Sequence, residues 1–337
     1  MKKFCTFGLA LMIVCACALP ASARQKSYTF KITHEEYADT VPDRYAKEFA
    51  RRVTEKSEGR IKFEIFQVGQ LGVGVDLVEH LLTGSTQMAI VSPGNVSTIV
   101  PEGQMFALHF LLPSSVKKAY EFLGQSQVVK KDLAGAYAEK SLRLMDLWPL
   151  GASDWLSDKK ITSPADFKGL PFRTMDTPLI IKNYEAYNAN ATPVSYTDVY
   201  SALQLNMVDG VENPLAALVD MKWYEVQKYL IKSNHIMYLE GVFMNDRFFK
   251  SLPKDLQAIL SETVAEMRDY AFDLQKEANT KAEKILAAHT EVVTLTADQQ
   301  AAFKKAALPV RAYYKKKLSK RCAAMLEKLE KELAEFE

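Results

Sequence analysis

The chain has 337 residues, 48% apolar and 25% charged, which suits a globular protein long enough for two domains and excludes a disordered or fibrous one. Its 43 basic residues against 41 acidic ones leave a formal charge of +2, so no strong field recruits nucleic acid or an anionic membrane.

Residues 1–23 read as a secretory leader. Lys2 and Lys3 precede an apolar run from Phe4 to Leu19, and Ala21, Ser22 and Ala23 form an A-x-A cleavage site. A run of about 16 apolar residues is short for a spanning helix. The approach to Cys17 through Val14, Cys15 and Ala16 is a poor lipoprotein signal, so the exported chain is expected to begin near Arg24. Cleavage removes Cys5, Cys15 and Cys17, which leaves Cys322 as a packed thiol with no internal disulfide partner. It also removes two lysines, and basic and acidic residues then balance.

The run YTFKIT from Tyr28 alternates as a strand does, with His34, Glu35 and Glu36 at its end. Tyr45, Phe49 and Val53 predict an amphipathic helix over Pro42 to Lys56, which Gly59 ends. Ile61, Phe63 and Ile65 mark a second strand, Leu77, Val78, Leu81 and Leu82 a second helix, and Met88 to Val91 a third strand. This alternation predicts parallel pairing with right-handed crossovers, the start of a doubly wound α/β sheet. Gly69, Gly72 and Gly74 are spaced G-x-x-G-x-G, and the third strand ends in Ser92 and Pro93 rather than an acid, so a dinucleotide site is rejected.

Small ligands of doubly wound sheets bind beyond the carboxyl ends of strands. The predicted ends offer His34 and Glu35, then Ser92 and Asn95, then Trp148, Asp154 and Trp155 in the run LWPLGASDWLSDKK. The tryptophans are open to either core packing or ligand contact, and Asp154 to either a turn cap or an ammonium acceptor. His109, in an apolar run, reads as a core histidine. With His34, His80, His235 and His289 it shows no metal-ligand spacing, so neither metal nor cofactor is expected.

A second α/β unit spans Leu150 to Asn234, and Tyr238 to Phe243 returns as a strand, which predicts two lobes joined by several crossings around a hinged cleft. Arg173 follows Gly169 and Leu170 at the end of a short apolar run, where a guanidinium can grip a carboxylate at two points; an ordinary ion pair is equally open. Ser195 to Asp198 resembles a capping box opening a helix with Val199, Leu203 and Met207 on one face, ending near Asp209 and Gly210. Asn213, before Pro214, is biased to extended backbone and a strand end. Apolar residues from Leu256 to Ile285 predict one helix over Lys254 to Ala288, about 50 Å long. Thr296 and Gln299 suggest another capping box, with its helix ending near Ala307 before Pro309 interrupts. Lys315, Lys316, Lys317, Lys320 and Arg321 read as a solvated helix face.

The runs GLPFR from Gly169, TPVSYTDVYSALQ from Thr192 and VDGVENPL from Val208, in that order, resemble the signature of DctP-type solute-binding proteins of TRAP transporters, the tripartite ATP-independent periplasmic carriers. The resemblance extends more weakly over most of the mature chain. It implies a two-lobed periplasmic-binding-protein fold with doubly wound sheets, a hinge and a long helix spanning both lobes. Lobe I is expected over 24–150 plus about 239–275, lobe II over 151–238 plus about 276–308, and a helical segment over 309–337. The resemblance implies a periplasmic monomer, not an enzyme, that closes on a small organic acid and delivers it to TRAP permease membrane subunits. On that reading Arg173 pairs with the ligand carboxylate, Asn213 hydrogen bonds it and Tyr196 packs on the ligand.

Sialic-acid and dicarboxylate binders of the family often carry another basic residue in the region that here runs from Gly151 to Trp155, and this chain has none. One carboxylate is therefore expected on the ligand, with an amino group or an aromatic or apolar body against Trp148, Trp155 or Tyr238. An exported enzyme is the competing class, but the mature chain has no G-x-S-x-G elbow, no H-E-x-x-H helix and no Cys-His pairing. A periplasmic co-receptor that senses the same ligand would use the same cleft.

Overall fold

The structure, a computed structural model, describes residues 26–336, so the expected leader lies outside the described residues. Nine strands form one continuous sheet: β1 (Tyr28–His34), β2 (Ile61–Phe66), β3 (Met88–Val91), β4 (Leu142–Ser157), β5 (Pro171–Thr174), β6 (Asn190–Pro193), β7 (Gly210–Pro214), β8 (Tyr229–Asn245) and β9 (Glu291–Thr294). Their order is β2-β1-β3-β8-β4-β7-β5-β6, with β9 beside β8.

Two parallel trios sit at the flanks. β1 pairs with β2 and β3, as the strand-helix alternation predicts, and β5 pairs with β6 and β7. Between them β4 and β8 run antiparallel over 16 and 17 residues and belong to both flanks. The return strand expected from Tyr238 to Phe243 is thus the latter part of a much longer one. Trp148, Asp154 and Trp155 lie within β4 rather than at a strand end, because pairing with β8 carries that strand through the whole run despite its register shifts.

One apolar core gathers Phe30, Tyr45, Phe49, Trp148 and Val242 with Leu256 to Leu274 of helix Lys254–His289. Another gathers Leu156, Val199, Leu203 and Trp223 with Ala282 and Leu286 of the same helix. The helix has 36 residues, or about 54 Å at 1.5 Å per residue, and so reaches both lobes as its spacing predicts. A third, larger core holds Trp155, Phe167, Tyr184, Tyr187 and Phe303. Three long elements therefore cross from lobe to lobe.

At the crossing the β4–β8 register shifts between Pro149 and Gly151 and again between Ser153 and Trp155. Gly151 has φ of +137°, and a Cβ there would lie 3.1 Å from the Asn279 amide and 3.3 Å from Pro214 Cβ. Only glycine fits where the bulged strand, β7 and the long helix converge. Arg268 of that helix pairs with Asp146 of β4, tying helix to sheet.

Two helix ends differ from the sequence expectation. The segment after Ser195 is a short 3-10 turn followed by helix Val199–Gln204, without a side-chain cap. Asn206 adopts φ of +53°, so the helix ends there and Met207, expected on the buried face, is 64% exposed. Helix Ala297–Lys317 does begin with the Thr296–Gln299 capping box, but it continues through Pro309. Phe303, Ala307, Val310 and Tyr314 are buried along one face, and that packing outweighs the hydrogen bond the proline removes. Among the described residues no helix is long and apolar enough to cross a membrane, and Cys322 is buried.

Candidate functional site

The two parallel trios bring their carboxyl ends to a common cavity of about 420 Å³, within the range of small-molecule sites. Arg173, Asn213, Tyr196, Glu35 and Tyr238 all line it.

Strand alternation explains who faces the cavity. In β5, Phe172 is buried in the large core while the next residue, Arg173, reaches the cavity. In β7, Glu212 faces the core and Asn213 the cavity, at the strand end its proline predicts. Arg173 is 2% exposed, and its Nε and Nη2 donate to the Val194 carbonyl at 3.0 and 2.9 Å. The Trp223 ring lies 5.9 Å from its guanidinium carbon. No carboxylate forms an ion pair with it among the described residues. Burial lowers its pKa, and the nearest compensation is the field of Glu212, with weaker help from Tyr196 and Tyr238. A buried guanidinium bonded only to a carbonyl has donor capacity left for an anion.

The opposite wall is acidic. Glu35 follows β1, and both of its oxygens are held by the segment after β3: the Ser92 N–H donates to Oε2 at 3.0 Å and the Asn95 amide to Oε1. Glu36 accepts the Tyr196 hydroxyl at 3.1 Å on each oxygen, a bond that spans the cleft. Burial pushes Glu35 up to about 7, against the pull of the Ser92 N–H, and Glu36 up to about 8, against the pull of Tyr196. Glu240 in β8 is buried beside them with Oε2 unpartnered; burial, then Glu35 and Glu36, hold it well above the carboxylate range. No lysine, arginine or histidine pairs with these three acids among the described residues. Val68, Val73, Met175 and Tyr238 supply the apolar surface between the walls.

Five of the residues proposed from sequence do not reach the cavity. Trp148 is 1% exposed and stacks on Tyr45 at 5.5 Å in the first core. Trp155 is buried in the large core, its Nε1 donating to the Tyr184 hydroxyl at 2.9 Å. Asp154 accepts from the Asn234 N–H at 2.9 Å and lines a separate recess against the long helix; burial pushes it up to about 6. His34, the last residue of β1, turns inward to Asp43 at 3.3 Å. Ser92 borders a small apolar cleft next door and touches the site through Glu35. The direction each side chain takes decides these cases: the two tryptophans and His34 turn into packed interior and Asp154 toward the long helix, whereas Arg173, Asn213 and Tyr238 reach the cavity from within β5, β7 and β8.

Sequence reasoning offered Asn95 at a strand end, and it lines the cavity; it did not select Glu36, Met175, Val194 or Glu212. Glu36 lay at a predicted strand end beside a chosen residue, and Glu212 could have been found as the core-facing neighbour of Asn213. The Val194 carbonyl left no signal, since backbone direction after β6 is set by tertiary packing. The histidines are another correction. Widely spaced in sequence, His109 and His235 are brought to Glu212 by the fold, with one ligating atom from each residue within 4.8 Å of the others. His109 is also the buried histidine expected, bonded to the Tyr187 hydroxyl at 2.8 Å.

Residues 32–317 match the DctP family, described as bacterial extracellular solute-binding protein, family 7. The chain belongs to this family. DctP-family relatives include the ectoine/5-hydroxyectoine-binding periplasmic protein of Ruegeria pomeroyi, 29% identical over 99% of both chains. The ectoine-binding periplasmic protein of Halomonas elongata is 30% identical over 85% of this chain and 84% of its own. The solved structure of the H. elongata TRAP-transporter protein superposes with a TM-score of 0.88, covering 91% of this chain and all of that one. A TRAP periplasmic solute-binding protein from Desulfovibrio salexigens with bound orotic acid gives 0.87 at 29% identity, over 92% of this chain and all of its own. The protein is thus a TRAP-type solute-binding protein of the DctP family, with that family's two-lobed fold.

Proposed function

We propose that this protein captures a small zwitterion, with one carboxylate and one cationic nitrogen, in the periplasm and delivers it to TRAP permease subunits. The observation that carries this reading is the arrangement of ionisable groups: among the described residues, one buried guanidinium without an acid partner faces the half-buried Glu35 and the buried Glu36, neither with a basic partner, across about 420 Å³. Arg173 and Asn213 bind the ligand carboxylate. Glu35, with both oxygens already oriented, accepts from the cationic nitrogen, and Tyr196 and Tyr238 pack on its body.

A ligand that satisfies both walls favours the closed form in proportion to its preference for it. Tyr196 on one wall and Glu36 on the other provide a first contact for that closure. The two relatives named for ectoine binding support a zwitterionic ligand; a relative named for C4-dicarboxylate binding marks the competing class. The protein acts as a monomeric carrier and not as an enzyme. Mass spectrometry of ligand released from purified protein, followed by a thermal-shift screen of zwitterions, monocarboxylates and dicarboxylates, tests this. A zwitterion recovered unchanged is expected; hydrolysis of the ligand, or a shift with dicarboxylates alone, contradicts it.

A further inference from the structure

Behind Arg173, beside the large core, two imidazoles meet the carboxylate of Glu212, whose field also offsets the burial of Arg173. The geometry points to a binding site for a divalent transition-metal ion of the Zn²⁺ class, held by His109, His235 and Glu212. One ligating atom of each residue lies within 4.8 Å of the other two, and all three residues are buried. Tetrahedral coordination at ordinary bond lengths needs separations of about 3.3 Å, so the ion would replace the direct His235–Glu212 hydrogen bond, those two groups separating slightly as His109 draws in.

The surroundings resemble the outer shell of a metal site more than they resemble a core. Each imidazole is anchored through Nδ1 to a hydroxyl: His109 to Tyr187 at 2.8 Å and His235 to Ser233 at 2.7 Å. A hydroxyl can donate or accept, so both rings can take the Nδ1–H tautomer that leaves Nε2 for an ion. Nε2 of His109 is buried with no hydrogen-bond partner, an acceptor left unused in the interior. Nε2 of His235 faces Glu212, whose Oε2 also accepts the Tyr184 hydroxyl at 3.0 Å. That hydroxyl lies 3.3 Å from His235 Nε2 and is a further oxygen beside the three ligating groups. Trp155 stacks on His235 at 4.8 Å and helps close the site to water.

Two imidazoles and one carboxylate suit zinc or cobalt rather than calcium or magnesium. The enclosed position means that the ion enters as lobe II folds or opens, not by simple diffusion into the native protein.

The experiment uses untagged full-length protein, unfolded with a chelator, refolded with or without Co²⁺ and desalted. Wild type is expected to retain one ion per chain and to show the visible absorption of four-coordinate Co²⁺. Its thermal midpoint should rise by about 5 °C at a hundredfold excess of metal over Kd. His109→Gln, which keeps a polar group against Tyr187, should lose both the ion and the shift. Failure of wild type to retain stoichiometric metal overturns the proposal, as does equal retention by His109→Gln, which would place the ion elsewhere. Should that variant not refold, X-ray absorption of Co²⁺-loaded wild type decides: two imidazole nitrogens support the site, and fewer overturn it.

Discussion

On the wall built from β5, β6 and β7, one guanidinium is buried against a backbone carbonyl and no acid pairs with it. On the wall built after β1 and β3, Glu35 is half-buried and Glu36 buried, and among the described residues no base pairs with them. Where β4 meets the long helix the same chain does the opposite, matching Arg268 to Asp146. A buried ionisable group is costly to charge unless paired, so a fold that completes one pair at its seam yet keeps a guanidinium and two proton-retaining carboxyls apart across a cleft suits the proposed reading, in which a ligand supplies the missing partners. On the reading proposed above, Arg173 and Asn213 on one side, with Glu35 on the other, would meet the two ends of that ligand.

The contrast between the walls is broken most severely by Arg173→Ala. Removing one side of a buried pair costs about 3–5 kcal/mol, so ligand affinity should fall by roughly two to three orders of magnitude or more. Calorimetric titration showing unchanged affinity would remove the basic wall from the account. Glu35→Gln keeps the shape and deletes the charge. It should weaken a zwitterion by roughly 10- to 100-fold while leaving a plain monocarboxylate nearly unaffected, a difference that competition titration reads directly. Equal losses for both ligands would mean that Glu35 only shapes the cavity.

Acidity sharpens the comparison further. Since Glu35 loses its proton near pH 7 and the ligand cation needs the ionised form, affinity should rise about tenfold between pH 6 and pH 8. Stability of the free protein runs the other way. Glu35 and Glu36 keep their protons in the folded state to about 7 and about 8, whereas the unfolded chain releases them near the ordinary glutamate value of 4.5. Between those values the folded chain binds more protons, so their contribution is full at low pH and is lost as pH rises through about 8. Denaturant melts from pH 5 to pH 8 should show the decline, and Glu36→Gln should flatten it. The smallest effect belongs to Tyr196→Phe, which removes one hydroxyl bond across the cleft; a loss of about 2- to 10-fold in affinity is expected, with faster ligand release by stopped flow.

Much of this was legible in the residues. The alternation in YTFKIT and the spacing of Tyr45, Phe49 and Val53 reflect faces that are buried locally, so β1 and its helix follow from sequence. The same holds for the 36-residue helix, whose apolar stripe persists over its whole length. The neighbouring glycine and proline placed Arg173 and Asn213 at strand ends, while their choice as ligand contacts came from the family resemblance. Trp148, Asp154 and Trp155 were misplaced because a strand of 16 residues crossing two lobes looks, residue by residue, like two shorter strands with a loop between. Met207 went astray at Asn206, whose left-handed turn depends on its own side chain and on what the next segment packs against. The convergence of His109, Glu212 and His235 is long-range in sequence, and no periodicity encodes it.

The direct test of the two-walled site is a calorimetric comparison of three matched ligands: a small zwitterion, its N-acetylated monocarboxylate and a dicarboxylate of equal length. The account predicts that the zwitterion binds tightest and that neutralising its nitrogen costs at least tenfold. Tightest binding of the dicarboxylate, with the zwitterion and its acetylated form alike, would contradict it.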